Sequence, residues 1–404
     1  MKKVMKTRDA VDSNHSSPMN SSNIKNILVV AAENSAENYA AQIVREFKRK
    51  ETPPYSFHFF GVGGDKLAAQ DFDIIIHNRE LSVVGIIEVI SSLRKLKRVM
   101  NTLYSTALEL KTDAVILIDY PDFNLRLAKK FKKAGIRVYY YISPTVWAWR
   151  YSRVKTIKKY VDHLFIIFPF EIPIYVKENI PFTYTGHPLL PMITVTQSRE
   201  SFRQKLNVPK DEILLTLLPG SRKSEVTFLL PTMLETVRRL MNEYKIHLFL
   251  LKAHNLEPGL LEMFLKQSPV PVNVIEQENG YNLMNASDII LSTCGTSNLE
   301  IAMLGVPFTA VYRVNKLSYL LGRKFVKINL YSIVNILTGK EVIKEWIQHE
   351  YTAENVLGEL KRILDNPSVR EEMKTEFKRI HEQLIQPHHP PEIIYEKIYS
   401  DLTR

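Results

Sequence analysis

One cysteine in 404 residues, Cys294, leaves the chain without an internal disulfide, and a lone thiol suits a reducing compartment. Long apolar runs are missing too. No window reaches the ~18 uninterrupted apolar residues of a membrane-spanning helix, and the nearest approach, LFIIFPFEIPIYV, is interrupted by Pro169, Glu171 and Pro173. No apolar stretch follows the basic start MKKVMKTRDAVDSNHSSPMNSSN, so it is not a secretory signal; its Ser/Asn content reads as a disordered extension over residues 1–23. No Cys/His ligand set is present: His388 and His389 lie in the loop-like QPHHPP, and the DFD triplet at 71–73 precedes a strand. Neither metal nor cofactor is expected. Acidic residues are under-represented, 43 against 54 Lys and Arg, which leaves a net charge of +11. Such a balance points to a partner with phosphates. No basic-aromatic motif of a nucleic-acid module accompanies it, so nucleic acid is not the expected partner.

What is present is a repeated architecture. NILVVA (26–31), FHFFGV (57–62), AVILI (114–118), RVYYYI (137–142) and HLFIIF (163–168) are short β-branched or aromatic runs separated by helix-like stretches. The pattern restarts with EILLTLL (212–218), KIHLFLL (245–251), PVNVI (271–275), DIILS (288–292) and PFTAVY (307–312). Continuously apolar strands alternating with helices predict parallel sheets covered on both faces. The expected class is α/β, with two doubly wound halves split near 190–200. Domains are expected over 24–192 and 193–365, with C-terminal helices over 366–404 that pack on the first domain or on a partner subunit.

Ligands of such sheets bind beyond the carboxyl ends of the strands, and the unusual motifs of this chain collect there. LLPGSRKSEV (217–226) places Gly220, Ser221 and Arg222 between a strand and a helix, where a guanidinium can take a phosphate bidentately. It also fits a simple turn with a surface arginine. STCGTSNLEIAMLGVP (292–307) sets Gly295, Thr296 and Ser297 at a helix start suited to an anion, with Glu300 one turn on and able to reach a ribose diol. IDYPDFN puts Asp119 and Asp122 at a strand mouth, where two carboxylates can hold a metal, act as base and helper, or form a capped turn. GVGGDK lacks dinucleotide spacing. In ELSVVGIIEVISSLRKLKRV (80–99), Val83, Val84, Ile86, Ile87, Val89, Ile90 and Leu93 make a broad apolar face beside Arg94, Lys95, Lys97 and Arg98. That combination suits anionic lipid, and equally a core helix with a solvated basic end.

Taken in order, GVGG, ELSVVGIIEV, IDYPDFN, YISPTVWAWR, FPFE, GHPL, LLPGSR, GTSNLE and NILTGKEVIKEWIQ resemble the lipid-A-disaccharide synthase family over about residues 26–385. ISPTVWAWR and PDFN are its specific signatures. The resemblance implies a GT-B fold, two Rossmann-like domains facing an interdomain cleft. It implies an inverting transfer of 2,3-diacylglucosamine from UDP to 2,3-diacylglucosamine 1-phosphate, giving a β-1,6 disaccharide 1-phosphate. The expected setting is the cytoplasmic face of a Gram-negative inner membrane, held peripherally, which favours the lipid use of residues 83–95. Family members can exchange C-terminal segments between subunits, so a homodimer is compatible.

Carried onto this sequence, the resemblance implies Asp119 as general base, Asp122 and Asn124 as orienting groups, and Glu33 and Ser35 on the acceptor side. Arg222 and the Gly295–Ser297 helix start would stabilise the leaving diphosphate, Glu300 would hold ribose, and Asn335 would lie near the nucleotide. The two tryptophans of ISPTVWAWR would wall the acceptor site, with Arg150 and Arg153 facing outward. One departure stands out. The family loop G-E-x-S-G-D is AENSAEN (32–38) here, and alanine at a position needing positive φ would strain the loop. Two other readings stay open: a GT-B enzyme with a different acceptor, and a non-catalytic paralogue that binds UDP-sugar or lipid.

Overall fold

The structure, a computed structural model, describes residues 24–81, 89–254, 256–315 and 330–404, with the backbone alone for residues 34 and 89–93. The N-terminal extension and Val83, Val84, Ile86 and Ile87 lie outside the described residues, as do the side chains of Val89, Ile90 and Leu93. The first sheet comprises β1 (Ile24–Ala31), β2 (Ser56–Gly63), β3 (Asp73–His77), β4 (Ala114–Ile118), β5 (Arg137–Tyr141), β6 (His163–Ile166) and β7 (Phe182–Tyr184). Its helices are α1 (Asn34–Arg49), α2 (Asp65–Ala68), α3 (Val89–Glu109), α4 (Pro121–Lys133), α5 (Arg153–Tyr160) and α6 (Ile172–Lys177). The strands run parallel in the order β3-β2-β1-β4-β5-β6-β7.

The sheet is buried on both faces, and its sequence says why. In β4 every residue is apolar and buried. Successive side chains alternate between faces, so Val115 and Leu117 join one core while Ala114, Ile116 and Ile118 join the other. β1 divides the same way, with Leu28 and Val30 opposite Ile27, Val29 and Ala31. Gly61, at φ +136, permits the close approach of β2 to β1: a Cβ there would lie 2.2 Å from the Val29 carbonyl oxygen.

The second sheet comprises β8 (Ile213–Leu218), β9 (Ile246–Lys252), β10 (Asn273–Glu276), β11 (Ile289–Thr293), β12 (Phe308–Tyr312) and β13 (Glu345–Ile347). The accompanying helices are α7 (Arg199–Lys205), α8 (Lys223–Leu240), α9 (Leu260–Leu265), α10 (Gly280–Ala286), α11 (Ser297–Met303), α12 (Ile333–Thr338), α13 (Ala353–Asp365), α14 (Pro367–Leu384) and α15 (Pro390–Thr403). Its order, β10-β9-β8-β11-β12-β13, is again all parallel. The chain crosses between the sheets twice, after β7 and after α14, and the crossings touch. Gly186 holds φ +75 there, and a Cβ would come within 2.8 Å of the Leu384 carbonyl oxygen.

The last helix, α15, completes the first core rather than the second: Ile394, Tyr395 and Ile398 are buried with α1. The Tyr395 ring stands edge-on to Phe47 at 4.9 Å, Lys50 pairs with Glu392 at 2.8 Å, and the Tyr139 hydroxyl donates to Asp401 at 2.8 Å. Tyr395→Ala is therefore expected to cost about 2–4 kcal/mol, although it lies far along the chain from β1. The α1 amides should then exchange hydrogen faster, and unchanged exchange would mean that α15 contributes little to this core.

Candidate active site

In each sheet the chain leaves one central pair of strands in opposite directions, which opens a crevice beyond their carboxyl ends. The first such pair is β1 and β4. β1 delivers Glu33 and Ser35, both exposed, at the start of α1; β4 delivers Asp119. Asp119 and Tyr120 hold φ +48 and +47, two consecutive non-glycine residues in the left-handed region, each costing on the order of 1 kcal/mol or more. Neighbours fix this turn. The Asp119 amide donates to the Tyr141 carbonyl at 2.9 Å, and the Asp119 carbonyl accepts from the Tyr140 hydroxyl at 2.6 Å and from Asn124 Nδ2 at 2.7 Å. Asn124 is fully buried, and its second N–H bond goes to the Ile118 carbonyl. It holds the loop and does not face the crevice. The Asp119 carboxyl is pushed up to about 6, first by burial and then by the Glu33 carboxylate, against the opposing pull of the Tyr120 amide.

Asp122, expected to act beside Asp119, is held by arginines. Its Oδ1 lies 3.0 Å from Arg150 Nη1 and 2.8 Å from Arg153 Nη2. Arg153 does not face outward as the sequence suggested: it is 7% exposed, drawn inward by Asp122 and by the indole of Trp149. Both guanidinium groups lie over that ring, at 4.5 and 4.7 Å from its centroid, a stacked arrangement that suits planar cations. The same segment begins with strain, since Ile142 sits at φ +64, unusual for a β-branched residue. Behind it, Ser143 Oγ donates to the buried Glu171 at 2.7 Å. Burial raises the Glu171 carboxyl to about 7, with the bonds from Ser143, Phe168 and Ile167 pulling the other way. Trp147 meets Phe170 edge-on at 5.2 Å.

The AENSAEN loop is not strained by its alanines: Ala32 and Ala36 are buried and neither has a positive φ. Glu37, standing where the family pattern has Asp, reaches across to the GVGGDK turn. Its Oε1 accepts from the Gly64, Lys66 and Leu67 amides at 3.1, 2.8 and 3.2 Å, and its Oε2 from Asn78 at 2.8 Å. One buried carboxylate thus caps α2 and ties the first turn of α1 to the ends of β2 and β3. Sequence alone gave no sign of this role.

The second crevice opens between β8 and β11. After β8, Gly220 takes φ +111, and a Cβ would lie 2.3 Å from Glu225 Oε2. Glu225 organises the turn: Oε2 accepts from the Ser221 and Arg222 amides, and Oε1 from Arg222 Nη1 at 2.9 Å. The Arg222 side chain is exposed. Partial desolvation opposes its charge, the carboxylates of Glu225 and Glu33 favour it, and the net effect is upward. Glu33 of the first domain therefore acts on Arg222 of the second. After β11, Gly295 and Thr296 are exposed at the start of α11; the Thr296 side chain makes no capping bond, and Asn298 Oδ1 accepts from the Gly295 amide at 3.4 Å. Ser297 Oγ lies 3.2 Å from Ser292 Oγ. Glu300 accepts from the Tyr281 hydroxyl at 2.9 Å, and burial holds its carboxyl above the usual range. Tyr39 of α1, another group the sequence did not single out, has its hydroxyl pKa raised by burial first and then by Glu300 and Asp119.

Asn335 is held from within the fold. It is fully buried, Nδ2 donates to the Ile343 carbonyl and to Glu345, and Oδ1 accepts from the Val342 and Ile343 amides. All four hydrogen-bonding positions of the amide are filled by the chain, so its side chain supports the β12–β13 side.

Two Rossmann-like domains whose switch-point crevices carry an acid on one side and an arginine with a helix start on the other define a GT-B protein. A protein of that fold, the UDP-GlcNAc 2-epimerase of Neisseria meningitidis solved with UDP-GlcNAc, superposes with a TM-score of 0.58 at 12% identity, covering 89% of this chain and 99% of that one. The calicheamicin glycosyltransferase CalG4 gives 0.57 at 12% identity, covering 94% and 98%. The lipid-A-disaccharide synthetase family profile matches residues 27–392. Lipid-A-disaccharide synthase of Syntrophus aciditrophicus is 38% identical over 364 residues, 90% of this chain and 94% of that protein. The chain belongs to the lipid-A-disaccharide synthase family, whose activity is glycosyl transfer in lipid A biosynthesis.

Proposed function

We propose that the crevice between Asp119 and Arg222 transfers 2,3-diacylglucosamine from UDP to the 6-hydroxyl of 2,3-diacylglucosamine 1-phosphate. The acceptor oxygen bonds to the anomeric carbon as the bond from that carbon to the UDP oxygen breaks on the opposite face. Asp119 takes the hydroxyl proton, and UDP leaves with the electron pair. The observation that carries this reading is the Asp119 carboxyl itself, poised at about 6 at the first switch point, close to the pH at which a base must work. Glu33 and Ser35 border the acceptor side. Arg222, with the Gly295–Ser297 helix start, receives the diphosphate. Glu300, oriented by Tyr281, takes the ribose. Asp122 acts by fixing Arg150 and Arg153, and Asn124 by fixing the Asp119 turn.

The lipid nature of both substrates calls for work at a membrane surface. Among the described residues no helix is long and apolar enough to cross a membrane. Peripheral attachment to the anionic inner surface, through the apolar residues 83–93 with Arg94 and Lys95, supplies that contact. The test is to incubate the purified full chain with both lipid substrates. Disaccharide 1-phosphate and UDP in equal amounts are expected. Nucleotide binding without product would make the chain a non-catalytic binder, and product only with another acceptor would reassign the substrate.

A further inference from the structure

α1 starts at the first crevice with Ser35, and one turn further along the same helix face stands Tyr39. Its ring is buried, 8% exposed, in the core that also holds Ile118 and Tyr141. It meets the Tyr141 ring edge-on at 6.5 Å, and that packing fixes where the hydroxyl points. Two carboxylates face the hydroxyl, one from each domain: Glu300 of α11 acts on it more strongly, Asp119 beyond β4 less. Tyr281, whose own hydroxyl donates to Glu300 at 2.9 Å, is a third neighbour.

A buried phenol ordinarily has a hydrogen-bond partner. Tyr139, Tyr140, Tyr175 and Tyr351 are buried more deeply still, and each bonds its hydroxyl within the chain. Among the described residues the Tyr39 hydroxyl bonds nothing. Nor is its oxygen sealed in: the enclosed side-chain atoms that lack a partner belong to Thr112, Asn124, Arg153, Thr293 and Trp346. An unbonded hydroxyl on a buried ring therefore opens into the space between Glu300 and Asp119. Burial and the two carboxylates hold its proton on, so in that space Tyr39 is a hydrogen-bond donor without an acceptor.

The reaction proposed above says what passes there. Glu300 takes the ribose, and Asp119 meets the acceptor hydroxyl at the anomeric carbon. In a UDP-sugar those two points are joined by the diphosphate, whose oxygens are anionic acceptors. We infer that the Tyr39 hydroxyl donates a hydrogen bond to the diphosphate of the UDP-sugar. It adds a contact from the first domain to those that Arg222 and the α11 start make from the second. The inference rests on that reading of the two crevices, and the ligand it requires is a nucleoside phosphate rather than a nucleoside.

Tyr39→Phe removes the oxygen and keeps the ring. Since that oxygen bonds nothing in the chain, the variant should melt at or above the parent's temperature. Equilibrium titration of the full chain should show Kd for UDP raised about tenfold or more, the usual weight of a hydrogen bond to a charged group. Kd for uridine should stay at the parent value. UMP divides the contact: weakened UMP binding places it on the phosphate beside the ribose, and unchanged UMP binding on the phosphate beside the sugar. Unchanged affinity for UDP overturns the inference. So does equal weakening of UDP and uridine, which would give the hydroxyl to the nucleoside, and so does a variant that melts well below the parent, which would mean that the hydroxyl is bonded within the chain. The titration needs no turnover. A parent that forms no disaccharide therefore refutes the proposed reaction, while the UDP and uridine affinities still decide the Tyr39 contact.

Discussion

Asp119→Asn is expected to lower kcat by about 10²–10⁴-fold, the usual contribution of a positioned general base, while making the protein more stable at alkaline pH. Asparagine keeps the shape of the side chain and cannot accept the proton. The stability gain follows from the same environment that suits the base. Folding raises the carboxyl from its ordinary 3.8 to about 6, so the protonated form is favoured in the native state. The group's contribution is therefore full below about 3.8 and is lost as pH rises through about 6. At pH 8 the native protein bears the whole cost of an ionised, largely buried carboxylate, about 3 kcal/mol. The neutral amide avoids that cost. Urea unfolding should give no difference between parent and variant near pH 3 and a more stable variant at pH 8. Parent activity should rise through about pH 6 and then level off, and Glu33→Gln should move that limb to lower pH by removing the second cause of the shift. Loss of activity with no alkaline stabilisation would mean that Asp119 is not buried as described. Substantial remaining activity would remove it as the base.

The parts of this protein legible in its sequence are those whose neighbours are dictated by local chemistry. β4 and β8 are visible because strands buried on both faces must be apolar throughout, and AVILI and ILLTLL can serve little else. β7 and β13, three residues each on sheet edges, carry too few buried positions to leave a pattern. The strand ends are equally visible, and Asp119, Glu33, Arg222 and Gly295 all lie just beyond them. Fine assignment failed wherever a polar side chain had two possible directions. Asn124 and Asn335 sit in turns that look like ligand loops, and only the placement of Ile118, Ile343 and Glu345 turns their amides inward. Asp122 and Arg153 are 31 positions apart, so no spacing rule joins them. Glu37 departs from the family pattern, and the fold makes it a clamp on the Gly64 turn. These contacts depend on tertiary distance, which a single sequence does not carry.

Arg222→Ala is the second large expectation: kcat should fall by about 10²–10³-fold, as when one preorganised group facing developing charge is removed. Charge accumulates on the diphosphate as its bond to the sugar lengthens. An arginine already held in place by Glu225 Oε1 at 2.9 Å can meet that charge without rearranging. The interaction strengthens toward the transition state, so kcat should fall more than the KM for the UDP-sugar rises. Arg222→Lys should recover only part of the loss, because a compact ammonium cannot span two phosphate oxygens. Gly220→Ala tests the same site through the backbone. A Cβ at φ +111 collides with Glu225, so the turn must move and take Arg222 with it, and activity should fall although every charge remains. If Arg222→Ala instead raised KM with kcat unchanged, the guanidinium would bind substrate and transition state alike. The electrostatic contribution to departure would then rest on the helix start at Gly295–Ser297.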